Sequence, residues 1–148
     1  MEPVTLVDAE NVRRSQWPNV SPDELVGLVR AWADAVGSRT ILVFDGPAPP
    51  DGGGGRLKLV GAEAATADDW IARAADKLAR TKRSYRLVTS DRGLRARAGR
   101  AADDVVGGGT FLRMLSAASP GTAGRRAQPG STSGPSAPSS RADRAAPA

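Results

Sequence analysis

The sequence predicts an α/β domain over residues 1–118, with a central parallel sheet flanked by helices, followed by a disordered tail over residues 119–148. Three observations predict it. Short β-branched or aliphatic runs alternate with segments of helical spacing, and strands separated by helices imply right-handed crossovers into a parallel sheet. The run Ile41-Leu42-Val43-Phe44 is apolar throughout, as in a strand covered on both faces. Composition changes abruptly at Ser119.

The elements follow in order. Val4-Thr5-Leu6-Val7 reads as a strand ending at Asp8. Ser21-Pro22-Asp23-Glu24 opens a helix, because Ser21 can cap, Pro22 suits the first helical position and Glu24 completes a capping box. Leu25, Leu28, Val29 and Trp32 fall at helical spacing, and Gly37 ends the helix. Thr40 to Phe44 is a central strand ending at Asp45, and Gly46 to Gly55 is a loop. Leu57 to Val60 is a candidate short strand. Thr66-Ala67-Asp68-Asp69 is a second capping box, opening a helix that carries Trp70, Ile71, Ala74 and Leu78. Tyr85 to Thr89 is a strand ending at Ser90-Asp91, Arg92 to Arg100 is helical, Val105-Val106 is a last strand and Thr110 to Leu115 a closing helix. The tail is Ser, Pro, Gly, Ala and Arg with no aromatic residue, so it cannot bury enough apolar surface to offset its ordering entropy. It carries +3 of the net +5 charge and reads as a low-complexity extension, with an electrostatic arm for nucleic acid as the alternative.

Composition excludes whole classes of chemistry. The 148 residues contain no cysteine and no histidine. Disulfides, thiolate sites, thiol nucleophiles, histidine bases and histidine-containing zinc sites are therefore ruled out. Metal chemistry must run on oxygen ligands, which suit hard cations such as Mg²⁺ or Mn²⁺. The basic balance favours a polyanionic partner. No apolar stretch is long enough to span a bilayer and no signal-peptide pattern opens the chain. The lack of cysteine fits a reducing compartment, so a soluble, cytoplasmic protein with no membrane association is expected.

Three strands end in an aspartate: Val7-Asp8, Phe44-Asp45 and Ser90-Asp91. A further acidic pair, Asp68-Asp69, opens a helix. In a parallel sheet all strand C-termini share one edge, where α/β folds place their sites. The helix at Thr66 joins that edge if Leu57 to Val60 is a parallel strand. Clustered carboxylates repel one another unless a cation neutralises them, and one or two hard cations there would suit phosphodiester hydrolysis. Each acid also has a structural reading. Asp8 and Asp45 suit turns or caps, Asp69 the N3 position of the capping box, and Asp91 the N-cap of the next helix.

The segments Asp8-Ala9-Glu10-Asn11, Phe44-Asp45-Gly46, Thr66-Ala67-Asp68-Asp69-Trp70-Ile71 and Val88-Thr89-Ser90-Asp91-Arg92 resemble the four motifs of NYN domains, in particular the YacP-like branch of the PIN-like nucleases. Gly109-Thr110-Phe111-Leu112 resembles the closing helix of the same branch. The resemblance covers roughly residues 3 to 116. It implies a PIN-like (Rossmannoid) fold over residues 1–118, Mg²⁺ or Mn²⁺ dependence, and endonucleolytic cleavage of RNA with a link to ribosomes or RNA processing. It places metal-binding catalytic carboxylates at Asp8, Asp45, Asp68 and Asp91. Asn11 would orient the first site or a bound water, and Thr89 and Ser90 would support the metal site or contact phosphate, with Asp69 beside them. Three features depart from the family pattern: Ala9 stands where glycine is usual, Glu10 adds a carboxylate read as facing solvent, and Gly52 to Gly55 replace a more structured segment. Glu63 lies near the third motif, with a surface position favoured.

For the nucleic-acid face, Arg13, Arg14, Trp17, Arg92 and Arg95 are the binding candidates, with Arg56, Lys58 and Arg97 expected near the same edge. Lysine and arginine there would contact phosphates without reading sequence. Trp17 suits either stacking on a base or packing under its loop; Trp32 and Trp70 read as core. Two functions compete: a metal-dependent endoribonuclease, and a non-catalytic module of the same fold that binds RNA or a ribosomal partner. A haloacid-dehalogenase phosphatase is disfavoured because Pro47 stands where a second aspartate is needed. A dinucleotide site is disfavoured because no glycine-rich turn follows the first strand.

Overall fold

The computed structural model describes residues 2–50, 54–63 and 65–118. The tail expected to be disordered, and part of the Gly46 to Gly55 loop, lie outside the described residues.

The chain builds five parallel strands and five helices among these residues. The order is β1 (Val4–Asp8), α1 (Ala9–Arg13), α2 (Pro22–Val36), β2 (Arg39–Asp45), β3 (Leu57–Ala62), α3 (Ala67–Arg80), β4 (Tyr85–Val88), α4 (Arg92–Ala98), β5 (Asp104–Val106) and α5 (Gly108–Ala118). The sheet order is β3-β2-β1-β4-β5 with every neighbouring pair parallel. The α/β expectation holds, and Leu57 onwards is a parallel edge strand, longer than its apolar run suggested.

Local signals set the boundaries. The Ser21 hydroxyl accepts from the Glu24 amide at 3.1 Å, and Gly37 takes the left-handed conformation, φ +70°, that closes α2. The Thr66 hydroxyl accepts from the Asp69 amide at 3.1 Å, starting α3. Helix α1 has only five residues, too few for a helical period to show in the sequence, and the sequence reading did not place it.

Alternation along the strands divides the core into two layers. Val4, Leu6, Val43, Tyr85 and Leu87 pack with Ile71 and Ala75 of α3 and Leu94 and Ala98 of α4. On the opposite face Trp32 of α2 meets Phe111 of α5 edge to face, ring centroids 5.0 Å apart. That agrees with Trp32 as core. Trp70, also expected to be core, is only half-buried at the margin of the α3 layer. Ile41 on β2 is likewise half-buried, because α3 leaves the outer strands partly uncovered there. Among the described residues no helix is long and apolar enough to cross a membrane.

Candidate active site

Parallel pairing carries the acids to one edge. Asp8 ends β1, Asp45 ends β2, Asp91 follows β4 after Thr89-Ser90, and Asp68 lies in the first turn of α3, which starts on the same edge. All four line one cleft of about 280 Å³, together with Glu10, Asn11, Arg14, Thr66 and Ala67. The sequence-predicted set is therefore brought together.

Asp8 is the buried member, 6% exposed. One of its oxygens accepts from the Asn11 amide at 3.4 Å and the other from the Thr89 hydroxyl at 3.1 Å. A carboxylate has about four lone-pair sites, so both oxygens keep acceptor capacity toward the cleft. Burial pushes the Asp8 carboxyl up to about 6, the charges of Asp68 and Asp91 add to the rise, and the two hydrogen bonds oppose it. The Asp68 carboxyl is also raised, first by desolvation and then by Asp91, with Arg97 pulling the other way.

Among the described residues, no three of the carboxylates stand close enough to hold one ion as they are placed. The donor set nevertheless fits a hard cation in chemistry: it is all oxygen, and the charges of Asp68 and Asp91 act on Asp8 as repulsion. Binding would require the side chains to draw together.

A hydrogen-bonded frame supports Asp8. Thr89, fully buried, donates to Asp8 and accepts from the Asp91 amide at 3.1 Å, linking two of the acids. The Asn11 side-chain oxygen accepts from the Ser90 amide at 2.8 Å, and the Ser90 hydroxyl accepts from the Gly108 amide at 2.8 Å. A Cβ at Gly108 would lie 2.5 Å from the Asn11 side-chain oxygen and 3.0 Å from the Asn11 carbonyl oxygen, so a side chain there would displace Asn11 from the brace. Asn11, Thr89 and Ser90 thus form a brace joining the first motif, the fourth motif and α5. Gly108 is the member that sequence reasoning missed; its one signal is the Gly107-Gly108-Gly109 run before the closing helix. Replacing Thr89 by valine keeps the volume but removes the donor to Asp8. We expect a further rise of the Asp8 carboxyl and a loss of about 10- to 100-fold in metal affinity, checked by titration calorimetry with Mn²⁺.

The structural readings of the acids hold at the same time. Asp8 caps α1, Asp91 caps α4 by accepting from the Leu94 amide at 2.9 Å, and Asp45 accepts from the Ala67 amide at 3.2 Å. An acid that positions a helix start can still present its second oxygen to the cleft.

Other placements are corrected. Asp69 does not line the cleft: its amide takes part in the α3 cap and its carboxylate pairs with Arg97 at 2.8 Å, which lowers its carboxyl. Glu10 does line it and pairs with Arg13 at 2.6 Å rather than pointing freely to solvent. Arg13 is held by that pair and by the Val20 carbonyl at 2.8 Å, and Arg95 donates to the Thr89 carbonyl at 2.9 Å, so both brace the backbone. Arg14 is the cleft's cationic residue; Arg92 is exposed and outside its lining. Trp17 is 88% exposed, which removes the reading of it as packed under its loop. Arg56 and Lys58 lie toward the N-terminal ends of the strands, away from the acids, because Lys58 pairs with Ile41 and Leu57 with Thr40. Glu63 is exposed and outside the lining.

The fold has known counterparts. The crystal structure of Rae1 (YacP) from Bacillus subtilis superposes with a TM-score of 0.63 at 21% identity, covering 80% of this chain and 75% of that one. A tryptophan-to-leucine variant of that protein gives 0.62 at 21% identity, covering 78% and 75%. No protein-family profile matches the chain, and no curated protein matches its sequence. The expected YacP-like architecture is therefore present at the level of the fold.

Proposed function

We propose that the protein is a metal-dependent endoribonuclease whose catalytic carboxylates are Asp8, Asp45, Asp68 and Asp91. The observation that carries the reading is the convergence of four aspartates from separate segments on one cleft, with a buried acid among them whose carboxyl is raised by burial and by like charges. A titratable group in a cleft that is perturbed by burial and by specific neighbouring charges is a functional-site candidate. The shared fold with YacP structures supports it.

Asp8, Asp45, Asp68 and Asp91 would hold Mg²⁺ or Mn²⁺. Such an ion supplies polarisation of the phosphodiester and a more acidic water for in-line attack. The chain's own part is to hold the acids in place: Thr89 aligns Asp8 and the backbone at Asp91, and the Asn11–Ser90–Gly108 brace holds the loop that carries Asp91. Arg14 at the cleft can meet a phosphate, and exposed Trp17 and Arg92 extend the same edge. RNA, in a ribosomal or processing setting in the cytoplasm, is the partner this reading implies.

The competing reading is a non-catalytic RNA- or ribosome-binding module. The separation of the carboxylates is the observation in its favour. The test is cleavage of a labelled structured RNA, and separately of single-stranded DNA, with Mn²⁺, Mg²⁺ or EDTA. Cutting of RNA that EDTA stops supports the enzyme. Folded protein that binds RNA without cutting it under any of these conditions supports the module.

A further inference from the structure

A second, larger concavity lies away from the acid cleft. It is a cavity of about 690 Å³ between α3 and the outer strands, on the face of the sheet that α3 leaves partly uncovered. Its cations are Arg39, Arg56, Lys58, Arg73, Lys77 and Arg83, and among the described residues no acidic residue lines it. Arg56 is paired with Glu2 at 2.8 Å, and Arg83 donates to the Glu2 carbonyl at 3.2 Å. Arg39, Lys58, Arg73 and Lys77 have no carboxylate within ion-pair distance among the described residues, and all four are exposed.

The α3 wall has a regular order. Trp70, Ala74 and Leu78 recur every four residues, and Arg73 and Lys77 form a second row beside them. Rows of this spacing lie next to each other on one side of a helix. An apolar ridge headed by an aromatic ring therefore runs alongside a cationic ridge, with half-buried Ile41 opposite and Lys58 on the sheet side. From Trp70 to Leu78 the helix rises about 12 Å, the length of roughly three or four stacked nucleotides at about 3.4 Å each.

We propose that this groove holds single-stranded RNA, bases toward Trp70 and the aliphatic row, phosphates toward Arg73, Lys77 and Lys58. Its identification as an RNA track rests on the nuclease reading. Its affinity for a single strand rests on its own chemistry: a cationic row that follows a backbone, beside a ring that any base can stack on. A row of cations along a groove is the electrostatic complement of a polyanion, and a protein partner would need matching acids over the same length.

The test uses the full chain in EDTA, so that binding is read with no cleavage. The anisotropy of a fluorescent single-stranded RNA of about twelve nucleotides is followed for wild type and for the triple variant Lys58→Glu, Arg73→Glu, Lys77→Glu, over a range of salt. A control reverses three cations outside the groove, Arg80, Arg100 and Arg113. The groove variant should bind at least tenfold more weakly, with a salt slope lower by about two, as expected for three lost phosphate contacts on a single strand, and the control should lose much less. The double variant Arg73→Gln, Lys77→Gln, a milder change, should lose affinity in the same direction if the triple variant does not fold. Equal losses in groove variant and control, or no loss in either groove variant, would overturn the proposal and point to a protein at this surface. A wild type that never cleaves RNA but shows the groove-specific loss would remove the nuclease reading and leave the binding groove standing.

Discussion

Replacing Asp8 by asparagine is expected to abolish metal-dependent RNA cleavage while the protein stays folded. Asp8 is the one acid of the four that is buried, and it is tied to the other motifs through Thr89 and the start of α1. Asparagine keeps the shape and one acceptor oxygen, so Thr89 keeps its bond. It loses the charge and the acceptor pair that a hard cation needs. Groups that only orient metal ligands cost about 10- to 100-fold when removed, so a ligand itself should cost about a hundredfold at the least. Initial rates with Mn²⁺, beside far-ultraviolet circular dichroism of the same preparation, check both halves. A variant within a few-fold of wild type would remove Asp8 from the catalytic set.

The second large effect is on stability against pH in the metal-free protein. Asp8 rises from 3.8 when free to about 6 when folded. Below about pH 4 both the folded and unfolded chains hold this proton and the group contributes nothing. Between about pH 4 and 6 the unfolded chain releases the proton while the folded protein retains it, so stability falls as pH rises. At about 1.4 kcal/mol per unit the total is about 3 kcal/mol, lost by pH 7. Asp68, raised in the same direction, adds to the trend. Urea unfolding in EDTA at a series of pH values should show this fall in wild type and a much flatter profile in Asp8→Asn. At pH 7 the variant should be the more stable by about 2 kcal/mol, since it loses one acceptor, worth about 1 kcal/mol, but no longer buries a charge. Mn²⁺ should restore stability to wild type and not to the variant. A wild-type profile that rises between pH 4 and 7 would contradict the burial argument.

The sequence made most of this site visible for a simple reason. A parallel sheet turns separate strand ends into neighbours, so Asp8, Asp45 and Asp91 are readable as one group once the strands are recognised, and the Thr66 capping box places Asp68 beside them. What was not readable depends on side-chain reach. Asp69 and Asp68 are adjacent in sequence, but a helix turns about 100° per residue, and only Asp68 faces the cleft while Asp69 meets Arg97 on α4. The same limit applies to Arg13 and Arg95, whose Nε–H bonds to the Val20 and Thr89 carbonyls no basic sequence pattern announces. Lys58 and Arg56 were assigned to the wrong end of the sheet because the register of β3 against β2 cannot be read from a short apolar run. Trp70 satisfied a helical period, yet the period does not say how far α3 extends over β2 and β3. Its half-exposed position is what reveals the groove.

The central claim is that the four aspartates together hold a divalent cation. Titration calorimetry of the metal-free full chain with Mn²⁺ at pH 7, wild type beside Asp8→Asn, tests it most directly. Saturable binding by wild type, competed by Mg²⁺ and absent in the variant, is the predicted result. No saturable binding by folded wild type, or the same isotherm in both proteins, would contradict it.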